Sequence, residues 1–410
     1  MGVHFGSEFF TANRDRLRQL FTGTAPIVIT ADGLVQRDTS EAYPFHQDRD
    51  FWYLTGITEP DVILVMDKGR EYLIVPERAE IRDTFEGAID LQELTRISGI
   101  TDVLGEKEGW KQLSNRVKKV KHLATLAAMP RYVELWGMYA NPARGELIRK
   151  LKAFNEELEL LDLRPHFIRM RSIKQEPELE ALIEAFAITM DTLKEVMRPS
   201  RSTKYAYEYE IEADITHGFR RRGVRHAFTP IVAGGKNACV LHSMANESAL
   251  SSDELVTIGV GAEFSQYAAD ITRTISLHGH PSRRQEAVHT AVCEVQDYAY
   301  DLLRPGVFLR EYEQQVDTFL GEKLRELGLI KTIDRESVHA YFPHRTSHFL
   351  GLDAHDAGDY ERALEPGMVI TVEPGIYIPE EGIGVRIEDD VLVTENGIEI
   401  LTSRLPRKLA

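Results

Sequence analysis

The segments MVITVE (368–373) and VRIE (385–388) flank the turn sequence PEEG (379–382). Runs of β-branched residues on both sides of a Pro/Gly turn predict an antiparallel hairpin. A turn centred between residues 380 and 381 places Glu373 opposite Glu388, with Cβ atoms roughly 5 Å apart. Two carboxylates that close destabilise a fold unless a cation compensates them, so the hairpin predicts a divalent metal site. A surface pair at a sheet edge is the alternative, but Ile, Val and Gly flank both glutamates.

A second hairpin is predicted from LVTIGVGAE (255–263) and YAADITRT (267–274). A turn centred near residues 264 and 265 makes Gly259 and Asp270 cross-strand neighbours. Asp270 therefore has the same β-forming context as the two glutamates, but its expected partner carries no side chain. Glu263 cannot replace a carboxylate at position 259, because four residues along a strand span about 13 Å.

Three histidines lie in the segment PHRTSHFLGLDAHD (343–356), namely His344, His348 and His355. A lone histidine is more often structural, but a cluster in a loop-like, glycine-containing segment favours a functional site. One imidazole combined with several carboxylates suits manganese, cobalt, iron or zinc better than calcium or magnesium. The sequence thus predicts a transition-metal centre, with manganese the preferred ion.

Composition restricts the kind of protein and its location. The 410 residues suit two domains, and 65 Asp and Glu against 49 Lys and Arg give a formal net charge of −16. Such a charge disfavours nucleic acid as a partner. No N-terminal signal pattern or long apolar run is present, and only Cys239 and Cys293 occur, so we expect a protein of the reducing cytoplasm that does not span a membrane.

The chain is predicted to be α+β, with domains at 1–168 and 169–410. The first domain has a mixed α/β pattern, with strand-like runs such as residues 27–30 and 72–75 between helical segments. The second begins with a helix near Pro177, and amphipathic helices are predicted at about 285–303 and 309–328. Helices should therefore cover the sheets that carry the two hairpins.

Other common catalytic signatures are absent from the sequence. The segment AGGKN (233–237) lacks the spacing and the Ser or Thr of a phosphate-binding loop. No G-x-S-x-G nucleophile elbow and no H-E-x-x-H zinc helix occurs. These absences leave metal-dependent hydrolysis as the chemistry that the acidic hairpins support best.

Together, these segments resemble the aminopeptidase P and prolidase family. The resemblance covers nearly the whole chain and rests on these segments: PIVAGG (230–235), LH (241–242), YAADITRT (267–274), SHFLGLD (347–353), TVEPG (371–375), RIEDD (386–390) and, in the first half, YPFHQDRDFWYLTG (43–56). It implies a creatinase-like N-terminal domain followed by a C-terminal domain with the "pita-bread" fold. The first-half segment favours aminopeptidase P over creatinase and methionine aminopeptidase.

The resemblance also implies a two-metal site. In it Asp270 and Glu388 bridge both ions, while His348 and Glu373 complete one of them. The family's remaining ligand is an aspartate at the position of Gly259, where it also helps to hold the substrate's free amino group. We therefore expect one metal ion here, with the second weak or absent and turnover impaired.

The implied reaction is hydrolysis of the bond between an N-terminal residue and a following proline in small peptides. Glu373 would accept the water's proton, and His355 and His242 would support the oxyanion and the proline side. His344 and Arg386 are further candidates for binding substrate. A dimer or tetramer is expected. Alternatives are a catalytically silent peptide-binding relative on the same fold, or a prolidase that acts on X-Pro dipeptides.

Overall fold

The computed structural model describes residues 5–127, 133 and 135–409. The chain divides into two compact units, of which the first ends at Met170 and the second begins at Arg171. Within the described residues, no helix combines the length and the apolar character needed to cross a bilayer. The mixture of helices and sheets confirms the predicted α+β class.

The first unit is built on one mixed six-stranded sheet with the order β4-β3-β2-β1-β5-β6. Its strands are β1 (Ile27–Thr30), β2 (Ile63–Asp67), β3 (Arg70–Val75), β4 (Val103–Gly105), β5 (His122–Thr125) and β6 (Glu159–Asp162). Its helices are Ser7–Leu20, Arg49–Thr55, Glu80–Glu86, Leu91–Ser98, Glu106–Val117 and Ala143–Phe154, and Arg164–Ser172 follows across the boundary. Antiparallel β1-β2-β3 pairs combine with parallel β1-β5-β6 pairs, as the strand-helix alternation predicts.

The second unit contains four small sheets with the orders β11-β10-β7, β12-β9-β8, β13-β16-β17 and β14-β15. The strands are β7 (Arg225–His226), β8 (Ile231–Gly234), β9 (Leu255–Val260), β10 (Ala262–Phe264), β11 (Tyr267–Ala268), β12 (Ile271–Ser276), β13 (Val369–Val372), β14 (Gly375–Ile378), β15 (Ile383–Arg386), β16 (Asp389–Thr394) and β17 (Gly397–Ile400). The helices are Glu176–Val196, Pro199–Ser202, Glu208–Arg221, Arg283–Leu302, Leu309–Glu326 and Arg335–His339, with a 3-10 turn at Gly235–Cys239.

Two of these helices cover the strands that carry the predicted site. Arg283–Leu302 and Leu309–Glu326 place their apolar faces, including Val292, Val316 and Leu320, in a core shared with Ile370 and Val385. Their bounds agree with the predicted helices. The strands behind the acidic residues are therefore held on a rigid, fully buried layer.

The hairpin at 368–388 has the register predicted from its turn. Val372 pairs with Asp389 and Gly375 pairs with Arg386, so Glu373 and Glu388 lie at corresponding positions between the two paired segments. Pro374 has no N–H to donate to the ladder, and the long hairpin is split here into β13-β16 and β14-β15.

The register predicted for the hairpin at 255–276 is wrong by two residues. Gly259 pairs with Thr272 rather than with Asp270. The turn residues are Ser265 and Gln266, which both have positive φ, as a two-residue hairpin turn of the primed type requires. Since residues two apart share a face, Gly259 still lies diagonally across from Asp270 on the same side of the sheet.

Candidate metal centre

Two strand ends and one loop bring a compact ligand set together. One ligand atom from each of Asp270, His348 and Glu388 lies within 4.8 Å of the others. Asp270 directly precedes β12, and Glu388 approaches that strand because its backbone N–H donates to the carbonyl of Thr272, at 3.0 Å. The carbonyl of His348 accepts a hydrogen bond from the N–H of Thr371 in β13, at 2.9 Å.

Glu373 completes the cluster at the end of β13. Its Oε1 lies 3.3 Å from Nε2 of His348, while Oδ2 of Asp270 lies 3.8 Å from the same nitrogen. The structure thus brings together all four residues that were predicted to be metal ligands. Asp270, His348 and Glu388 are 8%, 6% and 2% exposed, so the donors face one another in a largely dry site.

A local hydrogen bond and burial keep the ring of His348 neutral. Its Nδ1 donates to the carbonyl of Phe349, at 3.1 Å, because a carbonyl can only accept. Nε2 therefore keeps its lone pair directed at Asp270 and Glu373, which is how metal-binding histidines are commonly oriented. Burial lowers the pKa of His348 to about 4, so the ring remains neutral at ordinary pH.

The carboxylates are electrostatically strained without a cation. Burial and then the neighbouring Glu388 raise the pKa values of Asp270 and Glu373 well above the usual range. Burial also raises the pKa of Glu388, although the nearby Arg386 guanidinium opposes that shift. Clustered carboxylates with one imidazole are a donor set that fits a divalent transition metal.

Arg386 lies beside this cluster and links its residues by hydrogen bonds. Its Nε donates to Thr272 Oγ1 at 3.1 Å, and that hydroxyl donates to Glu388 Oε2 at 2.6 Å. Its Nη1 donates to the Tyr377 hydroxyl at 3.4 Å, which in turn donates to Nε2 of His344 at 2.7 Å. A continuous chain therefore connects a predicted metal ligand to a predicted substrate-binding histidine.

Gly259 lies directly against the guanidinium of Arg386. A Cβ at this position would be 2.9 Å from Nη2 of Arg386 and 3.1 Å from Oγ1 of Thr272. Both distances are shorter than ordinary contacts, so a larger side chain would have to move the end of the arginine. Because Gly259 has no side chain, the end of the Arg386 side chain partly fills the space beside it.

The other predicted histidines surround the cluster. His355 stacks on His348 with ring centroids 4.0 Å apart and keeps part of its surface exposed. His344 is 3.9 Å from Glu373, and burial lowers its pKa to about 3. His242 is exposed in the loop after the 3-10 turn, close enough to influence the pKa values of His344 and His355.

Several supporting residues were missed from the sequence. Glu313, on the helix Leu309–Glu326, accepts the backbone N–H groups of Thr346 and Ser347 at 2.9 and 3.1 Å and so fixes the approach to His348. Burial raises the pKa of Glu313 to about 7. Its position on an amphipathic helix gave no sign of this role, because only the fold brings it beside the loop.

Buried charges also anchor the loop that carries His355. Asp356 pairs with Arg171 and, at 3.2 Å, with Lys174, and all three side chains are at most 6% exposed. Although burial acts to raise the pKa of Asp356, the two cations keep it below its usual value. This anchoring holds His355 against the ring of His348.

A fold of this kind, with carboxylates on adjacent strand ends clustered around one imidazole, is typical of a metallohydrolase. Residues 180–395 match the profile of metallopeptidase family M24, and residues 10–124 match the aminopeptidase P N-terminal domain. The chain belongs to metallopeptidase family M24. These matches confirm the predicted resemblance, the metallo-aminopeptidase class and the two-domain fold with its pita-bread C-terminal domain.

Individual relatives match over almost their full length. The Xaa-Pro aminopeptidase of Haemophilus influenzae is 34% identical, over 98% of this chain and 96% of that protein. The Xaa-Pro aminopeptidase of Escherichia coli is 32% identical, over 98% and 95%. A structure of zinc-substituted Escherichia coli aminopeptidase P in complex with product is 30% identical, covers 99% of this chain and 97% of that chain, and has a TM-score of 0.85.

Proposed function

We propose that the chain hydrolyses the peptide bond between an N-terminal residue and a following proline, using one tightly held divalent ion. The observation that carries the proposal is the cluster of Asp270, His348 and Glu388, with Glu373 in reach, in a chain of family M24. Full-length relatives named Xaa-Pro aminopeptidase support the choice of substrate. Small peptides with proline in second position are therefore the expected partners.

Charge balance supports one ion rather than two. Asp270, Glu373 and Glu388 bring three negative charges, and the neighbouring Arg386 brings one positive charge. One divalent ion neutralises the remainder. A second ion would leave the buried centre with an excess of positive charge and without a carboxylate of its own at position 259.

The residues around the ion have separate proposed roles. A bound ion would supply Lewis acidity that polarises the scissile carbonyl and makes a water molecule more acidic. Glu373 accepts a proton from that water and delivers it to the proline nitrogen as the C–N bond breaks, while the hydroxyl remains on the acyl carbon. His355 and His242 stabilise the oxyanion, and His344 and Arg386 contact the substrate.

Metal content and peptide hydrolysis test the proposal together. We expect one manganese ion per chain by mass spectrometry after dialysis, and cleavage of an X-Pro-Y tripeptide that disappears in Glu373→Gln. Glu399→Gln, an exposed change on β17, is the matched control and should keep wild-type turnover. Two tightly held ions, or no cleavage of any X-Pro peptide with added manganese, would contradict the proposal. Faster cleavage of X-Pro dipeptides than of tripeptides would favour a prolidase.

We also propose manganese as the working ion, with cobalt, iron or zinc as alternatives, because the donor set is one imidazole and three carboxylates. A cytoplasmic location is consistent with the two free cysteines, Cys239 and Cys293. A dimer or tetramer remains our expectation for the assembly. Light scattering at several protein concentrations tests the assembly, and a chain that stays monomeric would rule it out.

A further inference from the structure

A cavity of about 770 Å³ lies at one edge of the six-stranded sheet of the first unit. Within that sheet, five strands are parallel to one another and β2 is antiparallel to them. The cavity lies where three of the parallel strands end, at Thr30 of β1, Pro76 after β3 and Glu106 after β4. Sheets of this kind usually bind ligands outside the carboxyl ends of their strands. The lining belongs wholly to the first unit, whereas the candidate metal centre belongs to the second.

A buried arginine that lines this cavity has an unsatisfied donor. The side chain of Arg78 is only 7% exposed, and its Nη2 donates to Oε2 of Glu59 at 2.9 Å. Within the described part of the chain, its Nε–H has no hydrogen-bond partner. A buried charged donor without an acceptor is costly, because its desolvation is not offset by a hydrogen bond. An acceptor on a molecule bound in the cavity would remove that cost.

An unpaired carboxylate lines the same cavity. Asp61 has a φ of 62°, a left-handed backbone conformation that aspartate and asparagine tolerate better than most residues. Its carboxylate has neither a hydrogen bond nor an ion pair to the residues that the structure describes. Arg82 and Arg78 are close enough to oppose the rise in the pKa of Asp61 that burial causes, but neither forms an ion pair with it. The opposite charges therefore lie near each other without being in contact.

The rest of the lining restricts the kind of molecule that fits. Four basic and four acidic side chains line the cavity, so its charge is balanced and favours neither a simple anion nor a simple cation. Ile63, Ile74 and Leu147 supply apolar surface, and the indole of Trp110 packs against the same core. The Nζ of Lys150 lies 3.7 Å from the centre of that indole ring. A matching ligand therefore carries both charges and an apolar group.

We propose that this cavity binds a free α-amino acid with an apolar side chain. The carboxylate of the amino acid accepts a hydrogen bond from Nε of Arg78, its ammonium group donates to Asp61, and its side chain packs against Trp110. Both charged groups of an amino acid are attached to one carbon atom, so one small molecule supplies a charge-assisted hydrogen bond to each partner. The inference is independent of the proposed hydrolysis, because this binding requires neither a metal ion nor a peptide bond.

Equilibrium dialysis with radiolabelled L-leucine tests the site in the full-length protein. A chelator is present throughout, so that a metal ion at the candidate metal centre does not contribute to binding. We expect saturable binding of one leucine per chain. Competition should be at least about 10-fold weaker with 4-methylpentanoate, which lacks the ammonium group, and with 3-methylbutylamine, which lacks the carboxylate, than with unlabelled leucine. Absence of saturable binding, or competition as strong as that of leucine by either analogue, would overturn the proposal.

Two variants remove the two charged partners separately. Asp61→Asn keeps a residue type that tolerates positive φ, so it should fold as the wild-type protein does and raise the dissociation constant for leucine about 10-fold or more. Arg78→Gln should raise the dissociation constant to a similar degree, but it also breaks the buried pair with Glu59. If circular dichroism shows that Arg78→Gln does not fold, Asp61→Asn alone decides the test.

The matched control is Arg96→Gln. Arg96 pairs with Glu93 at an exposed position of the same unit and does not line the cavity, so its loss should leave leucine binding unchanged. Leucine binding of wild-type strength in Asp61→Asn would refute the site. Binding that is lost in Glu373→Gln but retained in Asp61→Asn would assign the ligand to the candidate metal centre instead, and would equally overturn the proposal.

Discussion

Replacing Gly259 with aspartate should convert a one-ion centre into a two-ion centre. The new Cβ would start 2.9 Å from Nη2 of Arg386, so the end of that flexible side chain must shift by about half an ångström. Such a shift is accessible because no hydrogen bond to another described residue holds Nη2. The added carboxylate would lie on the same face as Asp270, which the family resemblance implies is a ligand that bridges two ions.

The expected sizes follow from the contacts. Overpacking at position 259 costs roughly 1–3 kcal/mol in the metal-free protein, partly offset by pairing with Arg386. With manganese present, the second ion adds about 2.7 kcal/mol at 100 times its dissociation constant. If the second ion restores ~3–4 kcal/mol of transition-state stabilisation, kcat for an X-Pro tripeptide should rise about 10²–10³-fold.

Metal analysis and steady-state kinetics are the appropriate measurements. Gly259→Asn is the matched control, because it fills the same space without the charge and should gain neither ion nor rate. A Gly259→Asp protein that is folded but still holds a single ion would refute the reasoning about the missing ligand. An equal gain in the asparagine variant would show that volume, rather than charge, limits the wild-type centre.

Three further predictions concern stability. Asp356→Asn removes the partner of two buried cations, so urea unfolding should show a loss of about 3–5 kcal/mol. In the presence of a chelator, urea unfolding should show a far larger loss of stability for Arg386→Gln than for Arg284→Gln, whose surface ion pair contributes about 0–1 kcal/mol. Equal losses of stability would contradict the role of Arg386 as the counter-charge. The lowered pKa values of His344 and His348, about 3 and about 4 against 6.5, mean that these two rings bind more protons in the unfolded chain, so their own contribution to metal-free stability should be lost as pH drops below 6.5. The raised pKa values of Asp270, Glu373 and Glu388 act in the opposite sense, so the histidine contribution is measured as the pH-dependent difference in urea unfolding between the wild-type protein and His344→Gln.

The sequence predicted the hairpin at 368–388 well because its turn is conventional. Pro379 and Gly382 mark the loop, and the resulting register places Glu373 and Glu388 at corresponding positions. The hairpin at 255–276 lacks such a signal. Its turn residues, Ser265 and Gln266, adopt positive φ without the glycine or asparagine that usually indicates it, so the register was predicted two residues away.

Other parts of the site depend on contacts that no spacing rule could provide. Arg386 was predicted only as a substrate-binding candidate, since its hydrogen bonds to Thr272 and Tyr377 come from two different hairpins. Glu313 reaches the His348 loop from a helix about 30 residues earlier in the chain. Side-chain direction and burial decide both roles, and neither property follows from the order of residues alone.

Gly259 and Arg386 together determine how the charges of the buried carboxylates are balanced. A buried guanidinium without a counter-charge is unfavourable alone, and so are three buried carboxylates without a cation. Placed side by side, each reduces the cost of the other, because burial raises the pKa values of Asp270, Glu373 and Glu388 and the charge of Arg386 opposes that rise. An aspartate at 259 would draw the guanidinium to itself and leave those carboxylates to a second ion. Because position 259 carries no carboxylate, the guanidinium of Arg386 remains beside Asp270, Glu373 and Glu388 and serves as their counter-charge.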